Sequence, residues 1–167
     1  RFMTIQESSF GFLQVEWPSL FESAAEAESL AHSDPRTACF HARRALELVV
    51  HWLYKHDASL RLPYQDNLSA LIHEPTFRNA IGPAVFAKTK VIKDLGNLAV
   101  HSHKTIREFD AITAVRELFH LGYWLARTYA RGAKPPPGLA FDPNALPKTT
   151  PLPKQTIEQL QRLEKEL

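Results

Sequence analysis

On a helix turning about 100° per residue, Lys90, Lys93, Asp94, Asn97, His101 and Lys104 share about a third of the circumference, with Val91, Ile92, Leu95, Leu98 and Ala99 on the other side. An earlier segment has a similar stripe, in which Arg36, Arg43, Arg44, Glu47, His51 and Tyr54 lie opposite much of the apolar set. Residues 88–107 hold five cations (Lys88, Lys90, Lys93, Lys104 and Arg107) against one acid, Asp94, a larger local excess than the whole chain's +2. Such stripes suit phosphate oxygens, with His101 as an added donor. The same spacing also describes a solvated face on which Arg43 and Glu47 form an ordinary (i, i+4) pair. No aromatics alternate with the lysines, so the stacking platform of single-strand binders is missing.

Other chemistry is hard to build from these residues. Asn97 and His101 stand one helical turn apart, but asparagine is a poor transition-metal ligand and nothing nearby completes a set; His101 and His103 diverge on a helix. The single cysteine, Cys39, lies in the apolar run Ala38-Cys39-Phe40 and reads as a buried structural thiol, which rules out an internal disulfide or a cysteine zinc cluster. The sequence has no glycine-rich phosphate loop, no serine nucleophile elbow and no paired-carboxylate or acidic nuclease motif. No catalytic, cofactor-binding or metal-binding residue is therefore assigned. The candidate nucleic-acid or docking face is Arg36, Arg43, Arg44, Glu47, Lys90, Lys93, Asn97, His101 and Lys104.

The elements holding these residues are helical. Helices are expected at about 18–32, 35–56, 67–73, 75–81, 84–103 and 108–131, and no stretch alternates at the period of a strand. Asp34-Pro35 is the clearest start signal, the carboxylate capping free N–H groups and the proline filling the first turn. Leu46, Val49, Val50 and Leu53 recur at helical spacing and mark a central helix. Gly96 is costly inside a helix, by about 1 kcal/mol against alanine, and a close helix crossing would account for it. Seven of the twelve prolines fall within 135–153, an extended strap that Leu139, Phe141, Leu146 and Leu152 can pin to the body. From Gln155, Ile157, Leu160, Leu163 and Leu167 begin a further amphipathic helix. The reading is all-α, with a bundle over 4–132, a proline-rich linker over 133–154 and a coiled-coil start over 155–167. The N-terminus lacks a signal core and no run is long enough to span a membrane, so a cytoplasmic protein is expected.

Trp17-Pro18-Ser19-Leu20 opening a helix, then Ala27-Glu28, Asp34-Pro35, Arg43-Arg44-Ala45-Leu46-Glu47 and Lys93-Asp94-Leu95-Gly96-Asn97-Leu98-Ala99-Val100-His101, occur in a familiar order. Over about residues 8–131 the chain resembles the helical N-terminal domain of type I restriction enzyme R subunits, and Pro143 to Gln155 resembles the linker that follows it. The resemblance implies a non-catalytic accessory domain. Its partners would be the remainder of the R subunit, the other restriction-modification subunits and the DNA backbone, with a homodimer left open. ATP and magnesium would serve the parent's translocase and endonuclease domains rather than this fragment. That family is in turn similar to the HEPN superfamily of helical bundles, many of them metal-independent ribonucleases. Their motif sets an arginine about five residues before a catalytic histidine, which would act as general acid or base. Carried over, His101 is the histidine and Asn97 the polar neighbour, while Gly96 stands at the arginine position. Ribonuclease activity and a purely structural network of Asn97, His101, Arg43 and Glu47 are the alternative expectations.

Overall fold

The computed structural model describes residues 7–148 and 153–167. Its main helices are α1 (Pro18–Leu30), α2 (Pro35–His56), α3 (Leu68–His73), α4 (Pro75–His101), α5 (Glu108–Tyr129) and α6 (Ile157–Glu166), with short 3-10 turns at Gly11–Leu13 and Pro143–Ala145. No strand occurs among the described residues. The protein is all-α.

Helix α2 is central, packing on α1, α4 and α5. Its Leu46, Val49, Val50 and Leu53 are buried, as their spacing predicts. Asp34 caps this helix by accepting from the Thr37 amide at 3.4 Å, and Pro35 occupies the first turn. Helix α1 approaches closely because Ala24, Ala25, Ala27 and Ala31 present little bulk. Its Glu28 is buried, yet accepts from Ser8 Oγ at 2.7 Å and Ser9 N at 3.0 Å, stapling the preceding segment to the bundle. The 3-10 turn, absent from the sequence reading, carries the buried Phe10 and Leu13 into the core.

Two helices were expected where α4 runs, and the backbone does break between them. Gly82 has φ 78° and ψ 167°, a conformation that strains any side-chain-bearing residue, and Pro83 restarts the helix. Another expectation is corrected at Tyr54, placed by spacing on the polar stripe of α2. Its ring stacks on Phe77 at 5.8 Å and its hydroxyl donates to the Leu71 carbonyl at 2.5 Å, so Tyr54 belongs to the α2–α3–α4 junction. Leu98, assigned to the apolar side of α4, is exposed.

After α5 the chain runs back along the bundle. Tyr123 and Arg127 donate to the Pro136 and Pro135 carbonyls at 2.8 and 3.0 Å, Phe141 packs 5.8 Å from the Phe119 ring, and Leu146 is buried. Leu139 is 38% exposed and pins less than Leu146; Leu152 lies outside the described residues. The helix expected to begin a coiled coil folds back onto the bundle over its described turns. A reciprocal capping box of Thr156 and Gln159 starts α6, and Leu160 is buried against Phe40 and Val100.

Candidate functional site

The site forms where α2 crosses α4. At Gly96 an added Cβ would stand 2.3 Å from Arg43 Cβ, far inside contact distance, so only glycine admits the Arg43 stem there. The expected close crossing is therefore real, and its occupant is a charged side chain. Arg43 is 6% exposed, which obliges its N–H groups to find acceptors within the protein. Nη1 donates to Asn97 Oδ1 at 2.6 Å, Nη2 donates to Glu164 Oε2, and Nε lies 3.8 Å from Glu47 Oε1. His101 Nε2, one turn beyond Asn97, faces Glu164 Oε1 at 3.7 Å.

Around this network opens a pocket of about 300 Å³. Arg44 and Lys93 complete its cationic wall beside Arg43, while Glu47 and Glu164 are its carboxylates. Phe40, Leu68 and Leu167 add apolar surface, and Asn67 and Ser69 add polar groups from the start of α3. Asn67 is already the N-cap of that helix, accepting from the Ala70 amide at 2.9 Å. Lys93 is mostly buried along its stem and sits 3.4 Å from Asp94 Oδ1.

Six of the nine residues proposed from the sequence thus meet in one place: Arg43, Arg44, Glu47, Lys93, Asn97 and His101. The other three do not line the pocket. Arg36 instead clamps the end of α4, with Nη1 donating to the Ala99 and Ser102 carbonyls at 2.7 and 2.8 Å and Nη2 donating to the Lys104 carbonyl. It satisfies carbonyls that a helix end leaves unpaired, and it opposes the negative end of the helix dipole. Lys104 takes part through its backbone, and Lys90 lies on α4 outside the pocket lining. His51 is exposed and also lies outside the pocket.

Glu164 was missed. Its signal was present in the spacing: it follows Leu160 by four residues, so whatever surface covers Leu160 receives Glu164 at its edge. The helix is further tied down by Gln161 Nε2, which donates to the Val100 carbonyl at 3.0 Å, and by the Gln155 amide, which donates to Asp34 Oδ2 at 2.9 Å.

Two titratable groups on α2 lie close by without being suited to react. Burial pushes the Cys39 thiol up to about 12, so it stays protonated and weakly nucleophilic. Burial also holds the His41 imidazole down at about 4; its neighbour Arg44 lowers it further, while Asp34 pulls the other way. At neutral pH His41 is uncharged and its 3.9 Å approach to Glu26 is not an ion pair. Among the described residues no group of His, Cys, Asp and Glu is arranged to hold a metal ion, and no helix is long and apolar enough to cross a membrane.

These features define a class: an α-helical bundle with a cation-walled pocket at the crossing of α2 and α4. Residues 25–164 match the family described as a domain of unknown function (DUF4145), and the chain belongs to that family. The matched region runs from α1 into α6 and contains the whole Arg43–Asn97–Glu164 network. No curated protein and no solved structure matches the chain.

Proposed function

We propose that this protein is a non-catalytic accessory module that binds backbone phosphates of DNA in the α2–α4 pocket. In this reading it serves in the cytoplasm as the N-terminal module of a type I restriction R subunit. The rest of that subunit and the other restriction-modification subunits are its partners, and ATP and magnesium belong to the translocase and endonuclease domains. One observation carries the phosphate assignment: Arg43, Arg44, Lys93 and His101 converge from two helices on one concave pocket. A convergent set of donors, three of them cationic, holds an anion more firmly than cations spaced along an open face.

The test is retention of a labelled DNA duplex by the 167-residue chain at low salt. Binding is expected with little sequence preference, and Arg44→Glu combined with Lys93→Glu is expected to weaken it about tenfold or more. If the duplex is not retained, or retention is indifferent to both reversals, the DNA-backbone reading of the pocket is wrong.

A second reading, metal-independent RNA cleavage, is supported by a separate observation. Although α4 has glycine at position 96, the Arg43 guanidinium enters from α2 and bonds Asn97 one turn before His101. A guanidinium beside an imidazole is suited to polarising a phosphate while the imidazole moves a proton. RNA cleavage in the presence of chelator, lost in His101→Ala, is the expected result; intact RNA after incubation with the unaltered chain excludes this reading.

A further inference from the structure

The pocket already contains an anion, supplied by the chain itself. Glu164 places one carboxylate oxygen on the Arg43 guanidinium and the other 3.7 Å from His101 Nε2. One oxygen of this anionic group thus accepts from a guanidinium while the other faces an imidazole, and a phosphate could offer two non-bridging oxygens to the same pair. Three cationic side chains (Arg43, Arg44, Lys93) and two carboxylates (Glu47, Glu164) line the pocket. Without Glu164 the same wall would face a single carboxylate.

Besides its polar ties to Arg43, Val100 and Asp34, the element that brings Glu164 buries little. Leu160 is its single buried side chain, and it packs with Phe40 and Val100 in a small cluster separate from the main core, with Leu163 half-buried alongside. Glu164 itself is 34% exposed. Among the elements of a bundle, those with few buried contacts open first.

We infer that Glu164 is a built-in competitor for the phosphate site: docked α6 fills the pocket with a carboxylate, and a nucleic-acid phosphate enters by taking its place as α6 lifts. This rests on the reading of the pocket as a phosphate site. An intramolecular carboxylate lowers apparent affinity by the fraction of time the pocket is closed, so the affinity hidden by α6 can be recovered by loosening it.

The experiment compares binding of a labelled DNA duplex at low salt by the unaltered chain, Glu164→Gln, Leu160→Ala and Glu158→Gln. Glu158 lies on the same helix but is exposed and outside the pocket, so Glu158→Gln changes the net charge equally without touching the site. Hydrogen exchange of the amides in 157–166 is followed with and without DNA. Glu164→Gln and Leu160→Ala are expected to bind about fivefold tighter or more than both the unaltered chain and Glu158→Gln. DNA is expected to speed exchange across α6 in the unaltered chain. If the unaltered chain binds DNA and Glu164→Gln binds no better than Glu158→Gln, the competitor role is overturned while the phosphate site stands. If none of the four retains DNA, the phosphate-backbone reading fails by itself. Inorganic phosphate at ionic strength matched with chloride then decides: faster exchange across 157–166 keeps the competition, and unchanged exchange overturns it.

Discussion

A methyl group at position 96 would meet Arg43 Cβ at 2.3 Å and Cδ at 2.8 Å, so the Gly96–Arg43 contact leaves no room for even the smallest side chain. Helix propensity alone favours alanine there by about 1 kcal/mol. Against it stand overpacking, about 1–3 kcal/mol, and disturbance of a buried charge network whose disruption costs about 3–5 kcal/mol. The clash wins, and Gly96→Ala is expected to lower unfolding free energy by about 2–4 kcal/mol in urea titration. Arg43→Ala would not relieve the contact, because the nearest atom is Cβ; Arg43→Gly would. In a double-mutant cycle, Gly96→Ala with Arg43→Gly should lose less than the sum of the single losses. Strict additivity would mean that the crossing does not dictate the glycine. The sequence marked Gly96 as anomalous, and the residue-level reason for it sits 53 positions away in the chain, on α2.

Among the elements, α2 carries a pH dependence. Its His41 titrates at about 4 when folded, against about 6.5 in an unfolded chain. A depressed folded value means that the unfolded chain binds the proton first. Stability from this group is therefore complete above about pH 6.5 and is lost as pH falls toward 4. Glu26, raised by burial, acts in the opposite sense by favouring proton uptake in the folded state. The melting temperature should fall between pH 7 and pH 5, and fall less in His41→Gln. A variant whose melting declines as steeply as the parent would remove His41 as the cause. Helix boundaries were legible where their determinants are local, as with Asp34 and Pro35 or the break before Pro83, although the equally local capping box of Thr156 and Gln159 was missed. The stripe assignments of Tyr54 and Leu98 were not, because a face has no meaning until a neighbour covers it. The α3 junction claims Tyr54, while Leu98 stays 40% exposed.

Over the whole molecule, 20 lysines and arginines nearly balance 18 acids, so the long-range field is weak and steering of a polyanion must come from local sites. The pocket sharpens that point, since part of its positive charge is met by its own carboxylates. If Arg43, Arg44 and Lys93 each displace one counterion from duplex DNA, the logarithm of affinity should fall against the logarithm of salt with a slope of about −2 to −3. A much steeper slope would mean that cations outside the pocket, such as Lys90 and Lys104, dominate. A flat one would mean that the contact is not with phosphate. The basic excess over 88–107 was visible in the sequence, but its apportioning was not: Lys88 pairs with Glu117 at 2.9 Å, Lys93 enters the pocket, and the Lys104 carbonyl accepts from Arg36.

By itself the sequence determined the helical class, the central place of α2, the break before Pro83 and six residues of the eventual pocket. Periodicity, capping and backbone sterics are short-range, and they act on neighbours a few positions apart. Only the tertiary structure decided which cations are structural and which line a cavity. It turned Arg36 into a clamp on α4, sent Arg43 across Gly96 and returned α6 so that Glu164 meets both Arg43 and His101. Those outcomes depend on contacts separated by 53 to 121 residues, which exist only once the core has brought the helices together.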